Sequence, residues 1–136
     1  MMLLDSIEQV TRDQLHARAR VRAEGPLMRP GDTGLPAFTG IEFMAQAVAA
    51  WAGLRELAAG REVRPGLLLG TRHFESSRPW LEEGLMLDIY IECMLEDESG
   101  VGAFDSRIEA SGLHQQARIK AVMPHSMEAF MQLGGY

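Results

Sequence analysis

Between Ile41 and Leu54 only two side chains are clearly polar, Glu42 and Gln46, in a segment that opens at Leu35-Pro36-Ala37-Phe38-Thr39-Gly40 and runs on to Gly60. Their i, i+4 spacing puts both on one face of a helix. A helix that is apolar nearly all round has to be buried nearly all round, so this segment is expected at the centre of the fold. A carboxylate inside such a helix is costly unless it is paired, hydrogen-bonded or working. Any account of the chain has to explain Glu42.

The chain has 136 residues, enough for one domain with a real core and too few for two of ordinary size. Its formal net charge of -6 argues against a general nucleic-acid binder. The long apolar run is interrupted by Glu42, Gln46 and Arg55, so it reads as a core helix and not as a membrane span. No N-terminal stretch combines a basic end, an apolar run and a small-residue cleavage site. A single cysteine, Cys93, excludes an internal disulfide and fits a cytoplasmic protein. It falls in an alternating apolar pattern, where a buried, inert thiol is expected.

Leu15, Ala17, Ala19, Val21 and Ala23 alternate with His16, Arg18, Arg20 and Arg22, which predicts a strand with one apolar and one cationic face. Leu3 to Val10 is a weaker strand candidate, joined to it by a turn at Thr11-Arg12-Asp13. The stretch from Gly25 to Gly34 holds Pro26 and Pro30 and reads as loop. After the helix, strands are expected over Leu67–Ser76, Leu85–Leu95, Phe104–Ala110 and Ala117–Met123, with turns at Glu98-Ser99-Gly100 and Ser111-Gly112. Residues 126–136 form a tail in which Met127, Phe130 and Met131 mark one side of a short amphipathic helix. The order, two strands, one buried helix and four strands, predicts an α+β domain over residues 1–125, with a strongly twisted antiparallel sheet wrapped around the helix. Whatever helix face the sheet leaves open is most simply covered by a second subunit.

This order resembles the hotdog fold. The helix start, Pro36-Ala37, then Phe38 to Ile41, then Glu42-Phe43-Met44-Ala45-Gln46, is similar to that of 3-hydroxyacyl-acyl-carrier-protein dehydratases. Gly70-Thr71-Arg72-His73-Phe74, Arg78-Pro79 and Glu83-Gly84 resemble the strand after the helix and its turn in the same family. Leu35-Pro36-Ala37, Gly40-Ile41-Glu42 and Met44-Ala45-Gln46-Ala47 are most similar to its ApeP-like branch, associated with aryl polyene biosynthesis. The resemblance implies Glu42 and Gln46 as catalytic residues, and Ala37, Phe38 and Gly40 as substrate-binding ones. The Ala37 N–H is then the donor to the thioester carbonyl. It implies no metal and no cofactor beyond the phosphopantetheine-linked acyl thioester that is the substrate. The implied partners are acyl carrier protein and, across a dimer interface, a second copy or a hotdog paralogue. One departure is large. The family's catalytic His falls at Met28 here, and none of His16, His73, His114 or His125 lies in that motif.

Several residues carry a plainer alternative. Thr39-Gly40-Ile41-Glu42 also fits a capping box, which would make Glu42 structural, whereas Pro36 at the first helical position would start the helix earlier. Gln46 is expected to orient Glu42 or a water, or else to satisfy a backbone group. His73 is expected to be packed or at the surface, and His16 to be solvent-exposed. Arg55, Arg61, Arg64, Arg72 and Arg78 make either a solvated face or a docking patch for phosphopantetheine phosphate or an acidic carrier protein. Three functions remain open: a dehydratase subunit whose base comes from a His-bearing partner, an acyl thioesterase using Glu42 alone, and a non-catalytic partner subunit.

Overall fold

In the computed structural model, residues 3–22, 34–63 and 66–122 are described. The alternation of Leu15, Ala17 and Ala19 becomes the buried face of β2 (Gln14–Arg20), which pairs antiparallel with β6 (Met86–Glu96) so that Leu15 faces Ile91 and Ala17 faces Ile89. β6 pairs with β7 (Val101–Ala110), and β7 with β8 (Leu113–Val122), carrying the same inward rows through Phe104, Ile108, Ala117 and Ile119. β1 (Ser6–Val10) lies outside β2, and β4 (Leu67–Ser76) lies outside β8. The sheet order is thus β1-β2-β6-β7-β8-β4, all antiparallel.

A second, two-stranded sheet pairs β3 (Gly34–Pro36) with β5 (Trp80–Glu82). These three-residue strands are too short for periodicity to reveal them, and they add to the expected element order. A 3-10 turn, Ala37–Thr39, leads from β3 into α1 (Gly40–Ala58). Helix α1 lies against β2, β6, β7 and β8, with Phe43, Met44, Ala47, Val48, Trp51 and Ala52 in the core. This is the α+β architecture that the resemblance implies: one long helix held in a six-stranded antiparallel sheet.

The helix ends in a Schellman motif. Gly60 has φ 74, its N–H bonds to Leu57 O, and Arg61 N–H bonds back to Glu56 O. Only glycine adopts that φ at no steric cost. The loop expected over Gly25–Gly34, including Met28, falls almost wholly outside the described residues. So do Arg64 and the tail from Ser126 to Leu133.

Candidate active site at the head of the central helix

The apolar run predicts Glu42 inside a helix buried nearly all round, and the structure corrects this. Glu42, Ala49, Leu54 and Leu57 are exposed, because the sheet covers α1 on one side and leaves the opposite face open. Glu42 makes no hydrogen bond or ion pair with another described residue. The capping box does not form. Thr39 already has helical dihedrals (φ -60, ψ -23) and makes no side-chain cap bond. Pro36 instead precedes the 3-10 turn, so helical winding begins at Ala37. Glu42 stands in the first turn of α1, on the same side as Phe38 and Gln46 by i±4 spacing.

Gln46 lies one turn on. Its Oε1 accepts the backbone N–H of Leu3 at 2.7 Å, so this side chain ties the chain's first described segment to the helix. The Ala37 N–H, expected to face a thioester carbonyl, is already donated to Pro79 O at 2.9 Å. The i→i−3 bonding of the 3-10 turn engages Gly40 N–H on Ala37 O. Phe38 N–H makes no hydrogen bond among the described residues. The open donor at the helix head is therefore Phe38 and not Ala37, because the turn after β4 reaches Ala37 first. The Phe38 side chain is itself 57% exposed. Gly40, by contrast, is buried.

Of the arginines expected to form a patch, three are paired, and Arg72 is exposed without an ion pair among the described residues. Arg55 pairs with Glu96 at 2.8 Å and lies over the Trp51 ring, Arg61 pairs with Glu56, and Arg78 pairs with Glu82 at 3.0 Å. His16 is half-buried rather than exposed, bonded to Asp88 at 2.7 Å and stacked on Tyr90. His73 is exposed and has φ 56, where a bulge interrupts the pairing of β4 with β8. Burial pushes the Cys93 thiol up from its ordinary value, which keeps it protonated and inert. A groove of about 740 Å³ crosses the outer face of the sheet, where His16, Tyr90, Arg107 and Arg118 line it, and it contains none of the helix-head residues.

Two further polar residues lie in the core, at positions where residue type alone does not mark them as buried. Glu56, in α1, is 1% exposed, and Gln115, in β8, is fully buried. Both keep phase with apolar core positions, Glu56 with Ala52 and Gln115 with Leu113 and Ala117. That phase was the available clue.

A family model for ApeP-like dehydratases matches residues 1–132. The chain belongs to the ApeP-like dehydratase family. The structure is similar to a chain of the dehydratase heterocomplex ApeI:P from Xenorhabdus doucetiae, with 28% identity, a TM-score of 0.83, and coverage of 99% of this chain and 90% of that one. More distant likenesses show the hotdog fold alone. One is a hypothetical thioesterase from Streptococcus pneumoniae (15% identity, TM-score 0.60, covering 86% of this chain and 88% of that one). Another is the E. coli PaaI protein (12% identity, TM-score 0.64, covering 87% and 78%). No curated protein sequence matches this chain. As an ApeP-like family member the chain is a hotdog dehydratase subunit, and among its described residues no helix is long and apolar enough to cross a membrane.

Proposed function

We propose that this subunit eliminates water from a 3-hydroxyacyl thioester carried on acyl carrier protein, in fatty-acid or polyene-type synthesis in the cytoplasm. Its active site is completed by a His-bearing hotdog paralogue. The observation that carries this reading is the open helix head: Glu42 and the Phe38 N–H both stand without a partner among the described residues, at the start of a helix whose other side is core. The partner's imidazole takes the C2 proton. The electron pair forms the C2–C3 double bond as the C3–O bond breaks, and Glu42 passes a proton to the departing hydroxyl, which leaves as water. Phe38 N–H, at the positive end of α1, holds the carbonyl oxygen as negative charge develops there.

A partner is supported by what this chain leaves uncovered. Phe38, Leu54 and Leu57 are exposed, β4 pairs on one side only among the described strands, and its Leu67, Leu68 and Leu69 are exposed too. The nature of the partner follows from Met28, which stands where the resemblance places the family's His. The likeness to a dehydratase heterocomplex supports a heterodimer over a homodimer. The test is a dehydration assay on 3-hydroxyacyl-carrier-protein with three samples: this protein alone, this protein with its His-bearing paralogue, and the pair carrying Glu42→Gln. Activity in the wild-type pair alone is expected. Full activity of the isolated protein would overturn the shared site, and an inactive wild-type pair would overturn the dehydratase reading.

A further inference from the structure

Gln115 occupies a position where an apolar residue would serve the core better. On β8 it points inward in register with Ile108, which itself faces Ile89, and it is 0% exposed. Its Nε2 donates to Ala37 O at 2.9 Å and to Ser76 Oγ at 3.0 Å. Ser76 Oγ in turn donates to Arg78 O at 2.6 Å. On the other side of the amide, Oε1 lies so close to Gly40 that a Cβ there would overlap it. Oε1 has no N–H or O–H donor among the described residues. A buried amide with one end unsatisfied persists where its other end does something that an apolar side chain cannot.

The carbonyl that Gln115 grips belongs to the Ala37–Phe38 peptide. In a trans peptide, C=O and N–H point in opposite directions across one rigid plane. Gly40 N–H and Gln115 Nε2 both bond to Ala37 O, so this plane is fixed from behind and its N–H is directed away from them. That N–H is Phe38's, the open donor at the helix head. Hydrogen bonds to the carbonyl also polarise the peptide and strengthen its N–H as a donor.

We propose that Gln115 is a positioning residue for the reaction: through the Ala37 carbonyl it orients and polarises the Phe38 N–H that receives the thioester oxygen. The proposal rests on the dehydratase reading above. The turn is held from two sides, because Pro79 O takes the Ala37 N–H while β8 takes the Ala37 carbonyl. Gly40 is part of the same device, since any side chain there would displace the amide.

The test uses the assembled complex with Gln115→Met, which keeps most of the volume and removes the donor, and with Gln115→Asn, which keeps an amide too short to reach. A misdirected donor weakens transition-state binding more than substrate binding. For each variant kcat is expected to fall roughly tenfold to hundredfold with KM unchanged within about twofold. Hydrogen exchange of the Ala37 and Gly40 amides, whose bonds to Pro79 O and Ala37 O hold the turn, measured on the same samples, is expected to speed up by at least about tenfold as the turn loosens. Wild-type kcat in either assembled variant overturns the proposal, as does a loss confined to KM or to the assembled fraction. Unchanged exchange of the Ala37 and Gly40 amides also overturns it, and this readout decides even where the variants assemble poorly. An inactive wild-type complex would instead sink the dehydratase reading, and the exchange measurement would still judge the clamp on its own.

Discussion

The two ends of helix α1 treat their polar groups in opposite ways. At the C-terminal end, Glu56 is buried and its carboxylate meets Arg61 at 2.5 and 3.1 Å, while the backbone of the same two residues closes the Schellman turn. The apolar contact that usually accompanies that motif is replaced here by an ion pair between the same two positions. Next to Glu56 in sequence, Arg55 reaches Glu96 and the Trp51 ring, and Trp51 Nε1 donates to Thr11 O at 3.3 Å. At the N-terminal end, the Glu42 carboxylate and the Phe38 N–H are left open among the described residues. One carboxylate is thus spent on the fold and the other is available for chemistry. Burial alone does not tell them apart: the buried one is structural and the exposed one is the functional candidate. What separates them is whether the chain itself supplies a partner.

Substitution should therefore affect the two ends in different observables. Glu42→Gln keeps the shape and removes the proton donor. Dehydration by the assembled complex is expected to fall at least about 100-fold, with the melting temperature of this subunit unchanged. A stability loss with normal turnover would return Glu42 to a structural role. Glu56→Gln is expected to do the reverse. It loses a charge-assisted bond in a buried place, which costs about 1.5–3 kcal/mol. Chemical denaturation should register that loss while turnover per assembled complex stays at the wild-type level. A drop in kcat there would mean that the helix end communicates with the head.

The sequence carried the fold wherever one physical rule governed a long stretch. Period-two alternation through Leu15, Ala17 and Ala19, or Leu87, Ile89 and Ile91, has one explanation, a strand with a buried face, and the structure pairs these rows directly. The long apolar run has one explanation too, and it is α1. The helix head was only partly legible. Glu42 announced itself as a polar residue in an apolar segment, yet whether it faces the core depends on how far the sheet curls, which no local pattern encodes. That Ala37 N–H is taken by Pro79 O, leaving Phe38, depends on a turn more than forty residues away in sequence. Gln115 is masked by the alternation that marks the strands, since a polar residue reads as the end of an apolar face, although here it continues one.

Gly60 isolates the backbone part of the C-terminal arrangement. A Cβ added there meets nothing within 4 Å, so Gly60→Ala changes only the cost of the left-handed dihedral. Stability is expected to fall by about 1 kcal/mol, less than for Glu56→Gln, with turnover unchanged. A loss matching that of Glu56→Gln would show that the ion pair depends wholly on the turn.

Asp88, on the outer face of the sheet, gives the weakest expected effect and tests what a paired carboxylate is worth when it is not enclosed. Its Oδ1 receives Arg18 Nε at 2.8 Å and His16 Nε2 at 2.7 Å. The Arg18 bond first, and the His16 bond after it, hold the carboxyl below its ordinary value of 3.8. A carboxyl whose folded value is depressed contributes stability that is complete above its unfolded value. That contribution is lost as the pH falls through the folded value. Asp88→Asn is therefore expected to cost less than about 1 kcal/mol at pH 7, and the gap to wild type should close below pH 3.8 in urea unfolding. If the gap at pH 7 instead matched that of Glu56→Gln, enclosure would not be what sets the strength of the helix-end pair. The contrast between the two ends of α1 would then rest on pairing alone.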